Sequence, residues 1–550
     1  MPTISFNYAD FEKLLGKRLP IEKFKDFSLM YAKAEVDGYD SATKEVKLSL
    51  DDTNLPYLWS VEGLARLFRG VLGIEKGLPK LKVNSSSYRV IVESSVKKCR
   101  PYIATFVAEG KKLDDYLLQQ LIQLQEKFCE GYGRKRQKVS IGLYSHSKIK
   151  FPVHYRAVKP DTVEFAPLES ASKMNLSKIL ASHPKGIQYS WILKDSPVYP
   201  VLMDSNGEVL SFVPIINSDF TGKLVVGDSE MLFEATGTDE ESVNLAANIF
   251  AQNLFERGFR ISSVAIEDGS RRFSTPRGFG SKVSVSPADV EKLIGISLSQ
   301  PQVASLLEKA RYGSSGNSVS IPDYRRDILH VFDVIEDIAI MYGFDRIESA
   351  PLSSYTIGEP AAMTVFSDKV REVAVGLGFQ EVLSPILSNR GVLERSMEAS
   401  PSEIVEIDNI MSETFSAVRN WLSPIMLEVL SKNKHNEYPQ KIFEEGIVNV
   451  KSGSRIADRE AIAFAISHTR ADFTEAKQCA DSVLKSLGLD YAIKPLDFGS
   501  FIPGRAGKIS VKGKDVGIIG EISPKVLANW ALEMPVSVVE LDLTELKKLC

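Results

Sequence analysis

Pro322-Asp323-Tyr324-Arg325-Arg326-Asp327-Ile328-Leu329-His330-Val331-Phe332-Asp333-Val334-Ile335-Glu336-Asp337-Ile338-Ala339-Ile340-Met341-Tyr342-Gly343-Phe344-Asp345 is the stretch around which the rest of the chain is read. It predicts one helix, opened by Asp327 as its cap and closed by Gly343. At about 100° per residue, Ile328, Val331, Phe332, Ile335, Ile338, Ala339 and Tyr342 fall in one apolar arc. Asp333, Glu336 and Asp337 stand together just outside that arc, at i, i+3 and i+4, with Asp327 at the helix start. Carboxylates crowded in this way repel one another. Two readings meet that repulsion. One is an acidic face left to solvent; the other is a set of oxygen ligands for a hard cation such as Mg²⁺.

The composition sets the frame. A length of 550 residues predicts several domains. With 44% hydrophobic and 25% charged residues, the chain reads as soluble and globular. The net charge is −4, so any nucleic-acid contact has to come from a local basic patch. Cys99, Cys129, Cys479 and Cys550 are far apart and form no CxxC pair, which speaks against a zinc site and a disulfide framework. No apolar run reaches about 18 residues, so no membrane span is expected. The N-terminus lacks a basic segment followed by an apolar one, and the expected location is the cytoplasm.

Along the chain, residues 1–90 read as a small α/β module. Ser60 is the expected cap of a helix whose stripe is Leu64, Leu67, Phe68, Val71 and Leu72, ended at the latest by Gly77 and Pro79. Leu113, Leu117, Leu118, Leu121, Leu124 and Phe128 mark a long amphipathic helix that ends at Gly131. The run Arg134-Lys135-Arg136-Gln137-Lys138 that follows suits phosphates as well as it suits a solvated loop. Asn206-Gly207 lies between two apolar runs and predicts a two-residue hairpin turn. In that register Ser205 pairs with Glu208, and Leu202 pairs with Ser211 on one face. Met231–Thr236 predicts a strand on which Glu234 and Thr236 share a face; by itself, Glu234 reads as a surface residue of a sheet. Gly237-Thr238-Asp239 then opens a helix through Val243, Ala246, Ala247, Phe250 and Leu254. Ser286-Pro287 opens a helix closed by Gly295. A second helix runs through Val303, Leu306, Leu307 and Ala310, a turn covers 313–318, and a strand follows at 319–321.

The run Arg325-Arg326-Asp327…Asp333-Val334-Ile335-Glu336-Asp337-Ile338-Ala339…Tyr342-Gly343-Phe344-Asp345 resembles the signature of phenylalanyl-tRNA synthetase beta subunits. The resemblance continues in Asp51–Arg66, in Ser211–Ser218 and in Phe233–Asp239, and covers essentially the whole chain. It implies α/β and α+β multidomain architecture in four parts. These are an N-terminal α/β module (1–90), an editing domain (91–265), a winged-helix-like module with the acidic helix (275–350), and a class II synthetase-like antiparallel sheet domain (355–550). It implies Mg²⁺ at Asp327, Asp333, Glu336 and Asp337. It implies an editing pocket at Leu202, Ser211, Glu234 and Thr236 that hydrolyses tyrosine wrongly joined to tRNA(Phe). The basic run gains weight as a tRNA contact through Arg134, Lys135 and Arg136. The partners implied are tRNA(Phe) and the alpha subunit, in an alpha2-beta2 assembly that consumes ATP.

The last domain departs from active class II synthetases. Those hold ATP with arginines in a motif 2 strand and at a motif 3 helix. Strand 441–450 contains no arginine, and none follows Arg505. Lysine does not reproduce the arginine fork, so the domain reads as a non-catalytic copy and Arg505 as structural. The first 150 residues carry no OB insertion, and no ferredoxin-like anticodon domain closes the chain. Both absences resemble the archaeal and eukaryotic type. Two other functions compete with this one: a free-standing deacylase of mischarged tRNA, and a non-enzymatic RNA-binding scaffold.

Overall fold

Val46, Leu48 and Leu50 alternate with exposed or half-buried neighbours along Glu45–Leu50, the period of a half-buried strand. In the computed structural model, which describes residues 2–170 and 172–550, this strand is the centre of a three-stranded antiparallel sheet between Thr3–Asn7 and Ala34–Asp40. Helices Tyr8–Leu15 and Ile21–Ala32 bury Phe11, Leu15 and Phe24 beside it. Helix Val61–Val71 is capped by Ser60 Oγ, which accepts from Gly63 N at 3.2 Å. It ends before Gly77 and is buried beyond the expected stripe, Glu62 and Arg66 included.

The chain divides into two compact units, Met1–Pro351 and Leu352–Cys550. The largest element of the first is an eleven-stranded sheet fed by strands from Val83–Asn84 to Arg271–Thr275, wider than the span 91–265 expected for it. Strand Glu230–Gly237 lies between antiparallel neighbours Tyr102–Glu109 and Val139–Ser145. Met231, Phe233 and Ala235 turn to the main core, with helix Glu240–Glu256 on that side. Asp239 caps that helix, accepting from Ser242 N at 3.1 Å. Leu232 turns to the opposite face, and with it, by strand period, Glu234 and Thr236. Both faces are covered, so Glu234 is 1% exposed and not the surface residue that its strand setting alone suggests.

The hairpin corrects one expectation and keeps another. Leu202 pairs with Ser211, as expected, but the closing pair is Asp204 with Glu208, not Ser205 with Glu208. Asp204 Oδ1 accepts from the amides of Asn206 and Glu208, both at 2.9 Å, which lengthens the loop by one residue. A bulge between Leu202 and Met203 restores the register.

Farther on, Lys282–Ser284, Ser318–Ser320 and Gly313–Ser315 form a three-stranded sheet, so part of the expected turn is strand. Helices Pro287–Ile294 and Gln300–Lys309 accompany it, the first with Ser286 as cap and Gly295 at its end. The opening stretch is α-helical over Val331–Tyr342, capped by His330 rather than Asp327, with a short 3-10 turn at Phe344–Arg346. The cause is local. The Asp327 carboxylate is taken by Arg325, while Asp333 Oδ2 accepts from the amides of Leu329 and His330, at 2.7 Å each. The buried set is Val334, Ile335, Ile338, Ala339, Ile340 and Met341; Phe332 is half exposed, edge-on to the His330 ring. The apolar arc is therefore rotated from the expected one.

In the second unit a seven-stranded sheet runs Gln380–Glu381, Gln440–Ser452, Arg455–Ser467, Val536–Asp542, Lys514–Ile522, Phe501–Val511, Tyr491–Pro495. Only its first pair is parallel. Val370 of helix Ala362–Gly376, Val483 of Phe473–Ser486 and Leu546 of Leu543–Leu549 share one core cluster; Leu427 of Ser423–Lys432 and Val526 of Pro524–Asn529 share another. Among the described residues, no helix is long and apolar enough to cross a membrane.

Candidate functional site

Glu234 pairs across the sheet with Gly142 on one side and Thr105 on the other. Tyr144, two residues from Gly142, shares its face. Its ring lies across the glycine: a Cβ at 142 would stand 2.1 Å from the Tyr144 oxygen and 2.7 Å from Glu234 Oε2. The Tyr144 hydroxyl donates to Glu234 Oε2 at 2.8 Å and lies 3.0 Å from Ser211 Oγ. Glu234 Oε1 is buried and, among the described residues, has no hydrogen-bond partner. Burial pushes the Glu234 carboxyl up to about 7; the Tyr144 and Thr236 hydroxyls and the Arg100 guanidinium offset part of that rise.

Thr236 lies farther along the same face. Its Oγ1 is 3.1 Å from Ser140 Oγ and accepts from Arg100 Nε at 3.1 Å. The remaining Arg100 nitrogens donate to Gln137 O, Ser140 Oγ and Thr236 O. A cavity of about 130 Å³ opens beside these groups, walled by Ser211, Glu234, Ser140, Arg136, Phe212 and Ile215, among others. Of the four expected pocket residues, Ser211 and Glu234 reach this wall. Leu202 stands behind, in a buried cluster with Tyr144, Leu210 and Leu232; Thr236 stands behind Ser140. Sequence reading missed Tyr144, Gly142, Ser140 and Arg100. The one signal for them was Gly142 inside a strand, which marks a close approach.

The basic run is not a plain solvated loop. Arg134, Lys135 and Arg136 have φ of 51°, 52° and 68°, three successive left-handed residues. The turn they make is closed by their amides donating to Gly131, Glu130 and Cys129 carbonyls at 3.0, 3.1 and 2.9 Å. Arg134 and Lys135 point to solvent. Arg136 lies 4.2 Å over the Tyr189 ring, donates to Ile215 O at 2.9 Å and forms part of the cavity wall.

The four acids of the opening stretch are not gathered around one point. Asp327 and Asp337 both bind Arg325, the latter at 2.7 Å, and Asp337 also accepts from the Tyr312 hydroxyl. Glu336 pairs with Lys33 at 2.6 Å, and Asp333 holds backbone amides. Among the described residues, no group of three or more acids, histidines or cysteines is set to hold a metal ion. The contacts do not fit a magnesium ion held by this chain alone.

In the second unit, Arg419 approaches the strand Gln440–Ser452 from outside it. The side chain is buried, pairs with Glu444, and donates to Ile447 O and Ser384 Oγ at 2.9 Å each. Arg505 pairs with Glu521 at 2.6 Å.

Comparison with known proteins agrees with this architecture. Residues 283–344 match the tRNA synthetase B5 domain, and residues 347–543 match the phenylalanyl tRNA synthetase beta chain CLM domain. The phenylalanine–tRNA ligase beta subunit of Thermococcus onnurineus is 40% identical over 99% of each chain. That of Pyrococcus horikoshii is 40% identical over 99% of this chain and all of its own. A crystal structure of an N-terminal fragment of the Pyrococcus horikoshii phenylalanyl-tRNA synthetase beta subunit superposes with a TM-score of 0.60 and 40% identity. It covers 62% of this chain and 99% of the fragment. With that identity sustained from end to end, the chain belongs to the family of phenylalanine–tRNA ligase beta subunits.

Proposed function

We propose that this chain is the non-adenylating, editing subunit of a cytoplasmic phenylalanine–tRNA ligase. It supports an alpha subunit, in an alpha2-beta2 assembly, in the ATP-dependent joining of phenylalanine to tRNA(Phe). It hydrolyses tyrosine wrongly joined to that tRNA. In this reading the eleven-stranded sheet is the editing domain, the small three-stranded sheet with the helices of 283–344 is a winged-helix-like module, and the seven-stranded sheet is a class II synthetase fold without adenylation chemistry. Arg134 and Lys135 are offered to the tRNA backbone, whereas Arg136 shapes the cavity.

The observation that carries the proposal is the unpartnered Oε1 of Glu234 in a carboxylate otherwise held by Tyr144. Tyrosine differs from phenylalanine by one hydroxyl. An apolar pocket rejects such an analogue by only about 10²-fold, while a site that hydrogen-bonds the hydroxyl discriminates far better. A buried carboxylate oxygen with a free lone pair is such an acceptor. Deacylation of tyrosyl-tRNA(Phe) by Glu234→Ala holoenzyme is the test. We expect a loss of roughly ten- to a hundredfold, from one hydrogen bond to a charged acceptor, with phenylalanine charging retained. Deacylation at the wild-type rate would remove Glu234 from the site.

A further inference from the structure

Resting on the editing proposal, we infer that Tyr144 is a positioning residue for tyrosine discrimination: seated in the gap left by Gly142, it ties one oxygen of Glu234 to Ser211 and so presents the other to the substrate. Tyr144 is buried and is not part of the cavity wall, so it acts through its two partners. Its hydroxyl has a single proton. With that proton on Glu234 Oε2 at 2.8 Å, the contact with Ser211 Oγ at 3.0 Å takes its proton from the serine. The chain Ser211–Tyr144–Glu234 thus has one direction, and it leaves Oε1 as the carboxylate atom without a partner. Asn217 Oδ1, 3.5 Å from the same hydroxyl, is too distant to compete with Glu234.

The glycine is what permits this. Any side chain at 142 meets the Tyr144 oxygen at 2.1 Å and its ring carbon at 2.5 Å, and both belong to a rigid, buried ring. The charged and titratable groups acting on Glu234 from its surroundings are Tyr144, Arg100, Tyr155 and Cys129; Arg136, Lys185 and Glu169 stand on the cavity wall. Of these, Tyr144 makes the hydrogen bond to the carboxylate, and that bond favours the ionised form.

The test compares Tyr144→Phe and Gly142→Ala with wild type in the holoenzyme, measuring tyrosyl-tRNA(Phe) deacylation from pH 5.5 to 9 alongside phenylalanine charging. Tyr144→Phe keeps the ring and removes only the oxygen. We expect deacylation at neutral pH to fall roughly tenfold in both variants. The acid limb of the Tyr144→Phe profile should move to higher pH, because the carboxylate has lost a donor, and charging should be unaffected. A Tyr144→Phe profile that superposes on wild type, with Glu234→Ala impaired in the same assay, overturns the role of Tyr144 and leaves the editing proposal standing. Wild-type activity in Glu234→Ala overturns both.

Discussion

Arg325 Nη1 lies 2.7 Å from Asp337 Oδ2, and the guanidinium is buried between the rings of Tyr57 and Tyr312, at 5.2 and 5.1 Å from their centres. The pair joins segments from three parts of the first unit around one cation. Read as a crowded acidic face, Asp337 looks dispensable, and its neutralisation should relieve repulsion. The pairing reverses that sign. Asp337→Asn leaves the buried guanidinium with one carboxylate, Asp327, among the described residues, and removing one partner of a buried pair costs about 3 kcal/mol. Urea unfolding of the chain should show this loss, with or without Mg²⁺ or a chelator. A midpoint equal to wild type would mean the pair contributes nothing.

How much of this was legible in the sequence depends on what each residue meets. Ser60, Asp239 and Ser286 were readable as helix caps because a cap is a local contact, three residues long. The Leu202–Ser211 pairing was reached through two offsetting differences, a longer turn and a bulge, neither of which an Asn-Gly pair announces. The cap of the acidic helix was misplaced because Arg325, two residues from Asp327, takes that carboxylate first. The burial of Glu234 was out of reach. Alternation along one strand does not say whether both of its faces are covered, and the groups that hold this carboxylate come from strand Val139–Ser145, about 90 residues away in sequence.

Arg257 gives a second prediction. It ends the helix Glu240–Glu256 and binds Asp10 with two nitrogens at 2.7 Å each, and Glu62 with a third at 2.7 Å. Both acids belong to the N-terminal module, so one fork fastens that module to the large sheet domain. Lysine retains the charge but not the three directed donors. Arg257→Ala is expected to destabilise the first unit by roughly 3–5 kcal/mol, since it leaves two largely buried carboxylates unpaired. Arg257→Lys should recover only part of that loss in a denaturant titration. Full recovery by lysine would show that charge alone suffices.

Glu234 should also leave a signature in stability against pH. Its carboxyl is raised from 4.5 to about 7 by burial, so the folded protein holds that proton more tightly than the unfolded chain. The stability this contributes is complete below about pH 4.5 and is lost as pH rises through 7, where the buried group ionises. The loss is on the order of 3 kcal/mol. Glutamine has no such titration. Glu234→Gln should therefore gain on wild type between pH 5 and pH 8, as read from denaturant midpoints at the two values. A difference independent of pH would contradict the raised carboxyl.

The last prediction concerns the seven-stranded sheet, where a cleft of about 360 Å³ lies among Trp421, Arg459, Lys508, Asp515, Glu540 and Asp542. A nucleotide triphosphate needs cations with free donors. Arg459 is paired with Asp542 at 2.6 Å, and Lys508 with Asp515 at 3.1 Å. Both cations of this cleft are thus already paired with acids, so it offers a polyanion no free positive charge. Arg419 is buried on Glu444, and Arg505 is committed to Glu521. The purified chain alone should therefore give no phenylalanine-dependent exchange of pyrophosphate into ATP, even at millimolar ATP and Mg²⁺. The same assay should turn positive when the alpha subunit is added. Exchange by the single chain would show that these ion pairs open to take the nucleotide, and that the second unit still activates an amino acid.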